Sequence, residues 1–233
     1  MSAFRLLEGP EGLSIQLPQL KRPFSLSFDG QLDRRARQGG ELLWRATGAA
    51  RPEPPLIIDA TAGLCRDAFL LASAGAQVIA LEREPLLYQL CAQALERDES
   101  PAASRVELHQ RDALETLSAL GAGHPAPELA SRASSGRAYG VVYLDPMFPS
   151  REKSAAVSRE AQVLRALTHQ PEQSEAQRAS EERLLLELAL SVAYYRVVVK
   201  RPIKAAPLPG RPPSAAIKGR AIRYDIYGLR SFK

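Results

Sequence analysis

The stretch between residues 56 and 84 constrains the fold more than any other part of the chain. An apolar run, Leu56-Ile-Ile-Asp59, leads into a turn of small residues that contains Gly63. An alanine-rich helical segment and a second apolar run, Gln77-Val-Ile-Ala-Leu81, follow. Short apolar runs separated by helical spacing predict a β-α-β unit, the building block of an open α/β sheet.

The turn after Asp59 predicts a binding site for a nucleotide-like cofactor. In open α/β sheets, ligands lie outside the carboxyl ends of the strands, and Gly63 lets a ligand approach the backbone there. Glu82 stands 23 residues after Asp59, at the tip of the next strand. A carboxylate at that position usually holds ribose hydroxyls. The turn lacks the Gly-x-Gly-x-x-Gly pattern of dinucleotide enzymes.

Acidic residues at this turn favour a cationic ligand. Asp59 and Asp67 repel phosphate groups and attract positive charge. S-adenosylmethionine (AdoMet) carries a sulfonium and an ammonium group and no phosphate, so it suits the turn better than NAD. The alternative is a flavodoxin-like β-α-β unit with an ordinary tight turn.

Composition is that of a soluble globular protein. Hydrophobic residues make up 45% and charged residues 24% of the 233 positions. No apolar stretch approaches the roughly 20 residues of a membrane span, and the first residues do not form a signal-peptide pattern. Two cysteines, Cys65 and Cys91, provide neither a disulfide framework nor a metal cluster. We therefore expect a cytoplasmic protein without a bound metal.

Positive charge is concentrated at the C-terminal end. Residues 196–233 contain ten Lys or Arg and one acid, Asp225, whereas residues 1–195 contain 21 basic and 25 acidic residues. Such segregation favours a polyanionic partner such as RNA. A solvated basic tail is the equally weighted alternative.

Residues 1–50 are predicted to form a small β-rich region that contributes to substrate binding, and residues 51–233 the main domain. Residues 13–17 and 24–28 alternate apolar and polar side chains, as half-buried strands do. A proline-rich linker, residues 51–55, precedes the main domain.

Basic residues follow the second of these predicted strands. Arg34, Arg35 and Arg37 are candidate phosphate contacts, or equally the exposed face of a helix that begins near Glu41.

Strands and helices alternate through the rest of the chain. Strands are predicted over 77–81, 105–109, 140–145, 196–202 and 221–227, and helices over 66–75, 85–98, 156–167 and 181–194. Residues 174–180 and the proline-rich residues 202–219 are predicted to lack regular structure. Leu184, Leu188 and Val192 recur at helical spacing and are interpreted as core packing.

The stretch from Asp145 to Pro149, Asp-Pro-Met-Phe-Pro, carries the most specific chemical signal. Methyl transfer to an exocyclic base amine needs an acceptor for the amine protons and a surface on which the base stacks. Asp145 and the Pro146 carbonyl supply the acceptors. Phe148 supplies a stacking face, worth about 1–3 kcal/mol. The alternative is a proline-rich loop whose Phe148 fills the core.

Further polar residues are weaker candidates. Asp112, at a strand end, is a candidate acceptor for an adenine amine, although helix capping is the more common use. The remaining basic candidates for RNA contact are Arg151, Lys153, Lys200 and Arg201.

Taken in order, these motifs resemble the ribosomal RNA small subunit methyltransferase J family, the AdoMet-dependent guanine-N2 methyltransferases of bacteria. The resemblance extends over most of the chain. The matching stretches are residues 59–69, 81–83, 141–149, 153–155, 197–202 and 224–227.

The resemblance implies a class I AdoMet-dependent methyltransferase fold, which is a Rossmann-like α/β sheet, here with a small β-rich N-terminal region. It also implies that the substrate is the N2 of a guanine near the 3′ end of 16S rRNA. Our hypothesis for the mechanism is direct in-line methyl transfer, with no covalent enzyme intermediate. Cys65 stands where the family usually has glycine, which predicts a narrower cofactor turn. The cofactor contacts that the resemblance implies are Arg66, Asp67, Glu82, Arg83, Arg111, Asp112 and Asp145.

Two alternatives remain open for the function. One is a methyltransferase for another nucleic-acid amine, such as adenine N6. The other is a non-catalytic RNA-binding factor in ribosome assembly, against which the intact set of Asp59, Glu82 and Asp145 argues. The expected partner is small-subunit rRNA or the 30S subunit.

Overall fold

Helices cover both faces of a seven-stranded sheet, and a second, three-stranded sheet packs against one side. The structure is a computed structural model that describes residues 4–9, 12–28, 40–124, 129, 139–146, 158–168 and 174–232. The strands are β1 (Arg5–Gly9), β2 (Gly12–Gln16), β3 (Phe24–Ser25), β4 (Ile57–Asp59), β5 (Val78–Glu82), β6 (Val106–Gln110), β7 (Val141–Leu144), β8 (Arg196–Pro202), β9 (Ala215–Lys218) and β10 (Ile222–Gly228). The helices with described bounds are α1 (Glu41–Thr47), α2 (Arg66–Ser73), α3 (Pro85–Arg97), α4 (Ala113–Gly121), α5 (Arg159–Leu167) and α6 (Glu175–Val192).

The large sheet has the strand order β6-β5-β4-β7-β8-β10-β9. The pairs from β6 to β8 are all parallel, and β10 is antiparallel to both of its neighbours. The order reverses between β4 and β7, and at such a point the carboxyl ends of the strands leave a crevice in which open α/β sheets bind ligands. The predicted Rossmann-like sheet is therefore present.

The parallel strands are apolar because both of their faces are buried. Ile57 and Tyr143 contribute to one core with α1, α2, α3 and α5, whereas Ile58 and Leu144 contribute to the opposite core with α4 and α6. The period of two along each strand thus divides its side chains between two helical layers.

The small sheet has the order β1-β2-β3 and is antiparallel. Its Leu13 and Ile15 belong to the same buried core as Leu90 of α3. The amide of Leu13 donates a hydrogen bond of 2.7 Å to Oε1 of Gln93, and Nη2 of Arg97 donates one of 3.0 Å to the Leu26 carbonyl. Helix α3 therefore joins the N-terminal sheet to the large one.

Helix α6 begins earlier than the sequence predicts, and one residue of its predicted core stripe is exposed. The prediction that residues 174–180 lack regular structure is wrong, because Ser174 and Gln177 form a reciprocal capping box that starts the helix there. Leu184 is 46% exposed, whereas Leu188 and Val192 are partly buried against the core that contains Leu185, Leu186 and Ala189. Apolar residues nearly surround this part of the helix, so periodicity alone did not select the buried face.

Three strand predictions also need correction. The structure adds β1, and only Phe24–Ser25 of the predicted strand 24–28 pairs, although Leu26 and Phe28 are buried. The prediction that residues 202–219 lack regular structure is wrong, because Ala215–Lys218 form β9. Strand β9 pairs with β10 and forms the edge of the large sheet.

The described part of the chain contains neither a membrane-spanning helix nor a cluster of metal ligands. None of its helices is long and apolar enough to cross a membrane. Within the same residues, no group of three or more His, Cys, Asp or Glu side chains is arranged to hold a metal ion.

Candidate active site

A cavity of about 470 Å³ opens at the carboxyl ends of the parallel strands, at the reversal between β4 and β7. The loops after β4, β5, β6 and β7 form its floor, and α5 and α6 contribute further walls. The charged and polar residues along it include Asp59, Thr61, Gly63, Arg66, Asp67, Glu82, Arg83, Arg111, Asp112, Tyr143, Asp145, Glu160, Arg178, Glu181, Glu182 and Lys200, and Pro146 lies beside them.

Asp59 and Asp145 end neighbouring strands and are linked through Thr61. Thr61 donates its amide to Oδ1 of Asp59 at 3.2 Å, and its hydroxyl oxygen accepts a hydrogen bond of 2.6 Å from the amide of Asp145. These bonds fix the backbone at the start of the Asp145-Pro146 turn. Burial, and after it the charge of Asp67, raises the pKa of the Asp59 carboxyl well above its usual range.

Glu82 organises the turn that contains Gly63. Its Oε2 accepts a hydrogen bond of 2.8 Å from the Gly63 amide, and its Oε1 accepts one of 2.7 Å from the Glu84 amide. Each carboxylate oxygen has a second lone pair, so both can also accept hydroxyl groups from a ligand. Burial raises the pKa of Glu82, and the two backbone hydrogen bonds oppose that rise.

Asp112 caps helix α4, as the alternative interpretation of its sequence position predicted. Its Oδ1 accepts hydrogen bonds from the amides of Leu114 at 2.8 Å and Glu115 at 3.2 Å. Its Oδ2 lies 3.4 Å from Nη1 of Arg83, whose side chain is 67% exposed. The Arg111 amide donates to the Glu82 carbonyl at 3.1 Å, which brings this loop against the end of β5.

Lys200 joins two carboxylates across the crevice. Its Nζ lies 2.6 Å from Oδ2 of Asp67 and 2.8 Å from Oδ2 of Asp145. The Tyr143 hydroxyl donates a hydrogen bond of 2.7 Å to the same Oδ2 of Asp67. These contacts connect the start of α2 with the ends of β7 and β8.

The charges in this network stabilise one another. Burial alone would lower the pKa of Lys200, but the carboxylates of Asp67 and Asp145 outweigh that effect and raise it well above its usual range. Burial raises the pKa of Asp145, and the Lys200 ammonium opposes the increase. Burial and the charge of Asp67 raise the pKa of Tyr143, which remains a neutral donor. Lys200 is therefore charged and favours ionised Asp145.

Arg66 connects the cavity wall to the N-terminal segment. Its guanidinium donates to Oε1 of Glu160 on α5, at 2.9 Å from Nη2 and 3.1 Å from Nε. Nη1 donates to the Ser27 carbonyl, and the guanidinium carbon lies 5.4 Å from the ring centroid of Phe28. Phe28 in turn stacks on Phe69 with a centroid distance of 4.2 Å. Arg66 thus lines the cavity and holds its wall together.

The predicted RNA contacts Lys200 and Arg201 have protein partners instead. Lys200 belongs to the carboxylate network, and Arg201 is buried, with Nε donating 2.9 Å to the Ala206 carbonyl and Nη1 lying 3.9 Å from Glu182. These positions do not suit contact with a phosphate backbone. The following predicted site residues lie outside the described residues: Phe148, Arg34, Arg35, Arg37, Arg151 and Lys153.

Sequence reasoning missed Thr61, Tyr143 and the side chains that α5 and α6 contribute. Thr61 lay within a turn chosen for its small residues, and Tyr143 within an apolar strand. A usable signal existed for Lys200, because a lysine at the carboxyl end of a parallel strand lies on the same edge as Asp59 and Asp145.

Cys65 does not narrow the cavity as predicted. It has φ +54° and ψ +19°, a left-handed conformation that glycine adopts at lower cost. Its side chain is buried, and it is not among the residues that line the cavity. A hydrogen bond with Cys91, together with burial, raises the pKa of the Cys65 thiol well above its usual range. Cys65 is therefore not poised as a nucleophile.

The site suits a cationic cofactor of nucleoside size. Eight carboxylate side chains and five Lys or Arg side chains line the cavity. Gly63, with φ +54°, leaves the backbone open on the cavity side, and Glu82 presents oxygens beside it. Asp59, Gly63, Glu82 and Asp112 would hold AdoMet here, and their contacts with it remain predictions.

Fold and site together define a class I AdoMet-dependent methyltransferase. A family model described as "Putative SAM-dependent methyltransferase" matches residues 4–229. The crystal structure of a SAM-dependent methyltransferase from Neisseria gonorrhoeae superposes with a TM-score of 0.73 at 29% identity, over 97% of this chain and 83% of that one.

Sequence relatives narrow this class. The ribosomal RNA small subunit methyltransferase J of Chromohalobacter salexigens is 41% identical over 100% of this chain and 88% of its own length. The protein of the same name from Thioalkalivibrio sulfidiphilus is 42% identical over 95% of this chain and 83% of its own length. The chain belongs to the ribosomal RNA small subunit methyltransferase J family, which confirms the resemblance seen in its motifs.

Proposed function

We propose that this protein methylates the exocyclic N2 of a guanine near the 3′ end of 16S rRNA, with AdoMet as the methyl donor. One observation carries the proposal: Asp145 lies at the rim of the cavity, fixed by Thr61 through its amide and by Lys200 through its carboxylate. The names of the relatives support small-subunit rRNA as the substrate class.

Each residue has a definable task. When bound, AdoMet would supply the methyl group: as the guanine nitrogen bonds to the methyl carbon, the bond from that carbon to sulfur breaks, S-adenosylhomocysteine leaves, and the nitrogen releases a proton to solvent. Ionised Asp145 and the Pro146 carbonyl accept hydrogen bonds from the guanine amine, which orients its nitrogen lone pair. Lys200 keeps Asp145 ionised, and Asp67 and Tyr143 hold Lys200 in position. Catalysis in this proposal comes from positioning, and neither cysteine is needed.

The remaining assignments are parts of the same proposal. Phe148 provides the stacking face for the base. Residues 1–50 form the small β-rich region that assists substrate binding, and residues 51–233 form the methyltransferase domain. The basic residues that follow the predicted N-terminal strands and the Asp145 turn contact RNA phosphates: Arg34, Arg35, Arg37, Arg151 and Lys153.

The test is transfer of labelled methyl from AdoMet to 30S subunits, or naked 16S rRNA, that lack the modification. Nucleoside analysis should find the label in N2-methylguanosine, and Asp145→Ala should abolish it. Label in N6-methyladenosine would instead identify an adenine methyltransferase, and AdoMet binding without transfer to either RNA would reject the proposal.

Phe148→Ala separates base stacking from cofactor binding. We expect a higher KM for RNA with little change in the Kd for AdoMet. If the KM for RNA and the Kd for AdoMet rise equally, the role of Phe148 is structural.

A further inference from the structure

Three exposed cations meet at one corner of the large sheet. Lys218 ends β9, Arg220 lies in the turn before β10, and Lys204 follows β8. The Ile203 amide donates a hydrogen bond of 2.9 Å to the Ala221 carbonyl, which brings the Lys204 segment against the turn. None of the three cations forms an ion pair with another described residue, so their charge is available to a ligand.

This corner lies at the same end of the sheet as Asp145. The register pairs Leu144 with Val199, and Lys200 with Tyr224. Tyr224 in turn pairs with Ile217, the residue before Lys218. Asp145 and Lys218 are thus separated by three interstrand spacings of about 4.8 Å, or roughly 15 Å across the sheet. A nucleic acid whose base enters the cavity has its flanking backbone within reach of the corner.

A buried ion pair makes the corner rigid without cancelling its positive charge. Arg223 pairs with Asp225, at 2.7 Å and 3.0 Å, and its Nη1 donates to the carbonyls of Pro202 at 3.0 Å and Ile203 at 2.9 Å. Asp225 is 1% exposed and is the only acid in residues 196–233. The exposed charged side chains among the described residues 196–232 are therefore all positive.

Helix α1 fixes the turn from the other side. Leu42 packs over Gly219, where a Cβ would lie 2.9 Å from Leu42 Cδ1. Glu41, the residue before Leu42, is exposed, and its single negative charge is outnumbered by the three cations. The local charge remains positive, and the backbone that carries it is preorganised.

We propose that Lys204, Lys218 and Arg220 form a docking site for the phosphate backbone that flanks the target nucleotide. The inference rests on the proposed function, since it assumes an RNA substrate. In this proposal the three exposed cations take the RNA-contact role that the sequence predicted for Lys200 and Arg201. The side chains of those two residues have partners inside the protein, on the same edge of the sheet. Phosphate contacts add affinity and register without reading the base.

The test compares Lys218→Gln/Arg220→Gln with Arg230→Gln. Arg230 is an exposed arginine of the same basic segment, and its amide donates a hydrogen bond of 3.0 Å to the Tyr195 carbonyl, beside the start of β8 and so at the opposite end of that strand. The Kd for a 3′ fragment of 16S rRNA would be measured across a salt series. Each lost phosphate contact lowers the slope of log K against log salt by about 0.7–0.9. For the double variant we expect a Kd roughly tenfold higher and a slope reduced by the equivalent of about one to two phosphate contacts.

Several readouts separate docking from catalysis and from folding. The double variant should keep the wild-type Kd for AdoMet, melting temperature and kcat at saturating RNA, with only KM for RNA raised. Arg230→Gln should keep the wild-type Kd and salt slope for RNA. A wild-type Kd and salt slope in the double variant, alongside normal methyl transfer, would overturn the docking site and leave the proposed function intact.

Failure of the proposed function is distinguishable. RNA binding with the expected loss of slope, but no methyl transfer by the wild type, would support the docking site and reject the activity. An absence of RNA binding by the wild type would overturn both.

Discussion

Nζ of Lys200 lies 2.8 Å from Oδ2 of Asp145, although the two residues are 55 positions apart in the chain. Strands β7 and β8 are parallel, and Leu144 pairs with Val199, so each of the two residues is the next one along its strand. The same ammonium reaches Asp67 at the start of α2. The proposed amine acceptor is therefore held by a cation from a neighbouring strand.

The pH dependence of activity tests this ion pair. Asp145 accepts from the amine with both oxygens only when ionised, so activity should fall as the pH drops through its pKa. Burial raises that pKa and Lys200 opposes the increase. In Lys200→Met the opposing charge is absent, the pKa rises further, and the acidic limb of kcat/KM should move to higher pH. The kcat should also fall on the order of 10²-fold through loss of positioning.

Lys200→Arg is the matched control for that experiment. It keeps the positive charge but changes the geometry, so the acidic limb should stay near its wild-type position even if kcat falls. An unchanged pH profile in Lys200→Met would show that Lys200 does not act on Asp145.

Removal of the Thr61 hydroxyl tests the link between the two strand ends. Thr61→Val leaves the Asp145 amide without its acceptor at 2.6 Å. We expect a loss of about 1–3 kcal/mol in the free energy of unfolding, measured by denaturant titration, and a lower kcat. Thr61→Ser retains the hydroxyl and should recover both quantities. Equal kcat values for the two variants would exclude a role in positioning Asp145.

Glu82→Gln tests the predicted cofactor contact. The amide side chain keeps the shape of Glu82, but it offers a donor where the Gly63 or Glu84 amide needs an acceptor. The Kd for AdoMet, measured by calorimetry, should rise at least about tenfold, which corresponds to the loss of one charged hydrogen bond. Glu84→Gln is the control. It keeps the backbone amide from which Glu82 accepts a hydrogen bond, and it should bind AdoMet with the wild-type Kd.

The Arg66–Glu160 pair tests the connection between the cavity wall and the N-terminal segment. The Arg66 side chain is 9% exposed, so Arg66→Met should cost about 2 kcal/mol in the free energy of unfolding through loss of its charged hydrogen bonds. Glu160→Gln should lower the free energy of unfolding by less in the Arg66→Met variant than in the wild type. Additive losses in the double variant would show that the pair contributes no coupling energy.

Much of the fold was predictable because its signals are local. Apolar runs at β4, β5 and β7 are buried on both faces, and Pro85 marks the start of α3. Strand β9 and the first turns of α6 were missed because prolines and polar residues dominate their surroundings. Pairing with β10 and the capping box at Ser174 provided the hydrogen bonds that composition did not reveal.

Local sequence patterns were enough to predict that Asp59, Glu82 and Asp145 lie at one edge of a parallel sheet, since each ends a strand of the same alternation. The groups that hold them became visible only in three dimensions: Thr61 and Lys200 for Asp145, and two backbone amides for Glu82. Strand periodicity is a property of neighbouring residues, whereas a salt bridge between β7 and β8 depends on the register of the strands and on the burial that surrounds it.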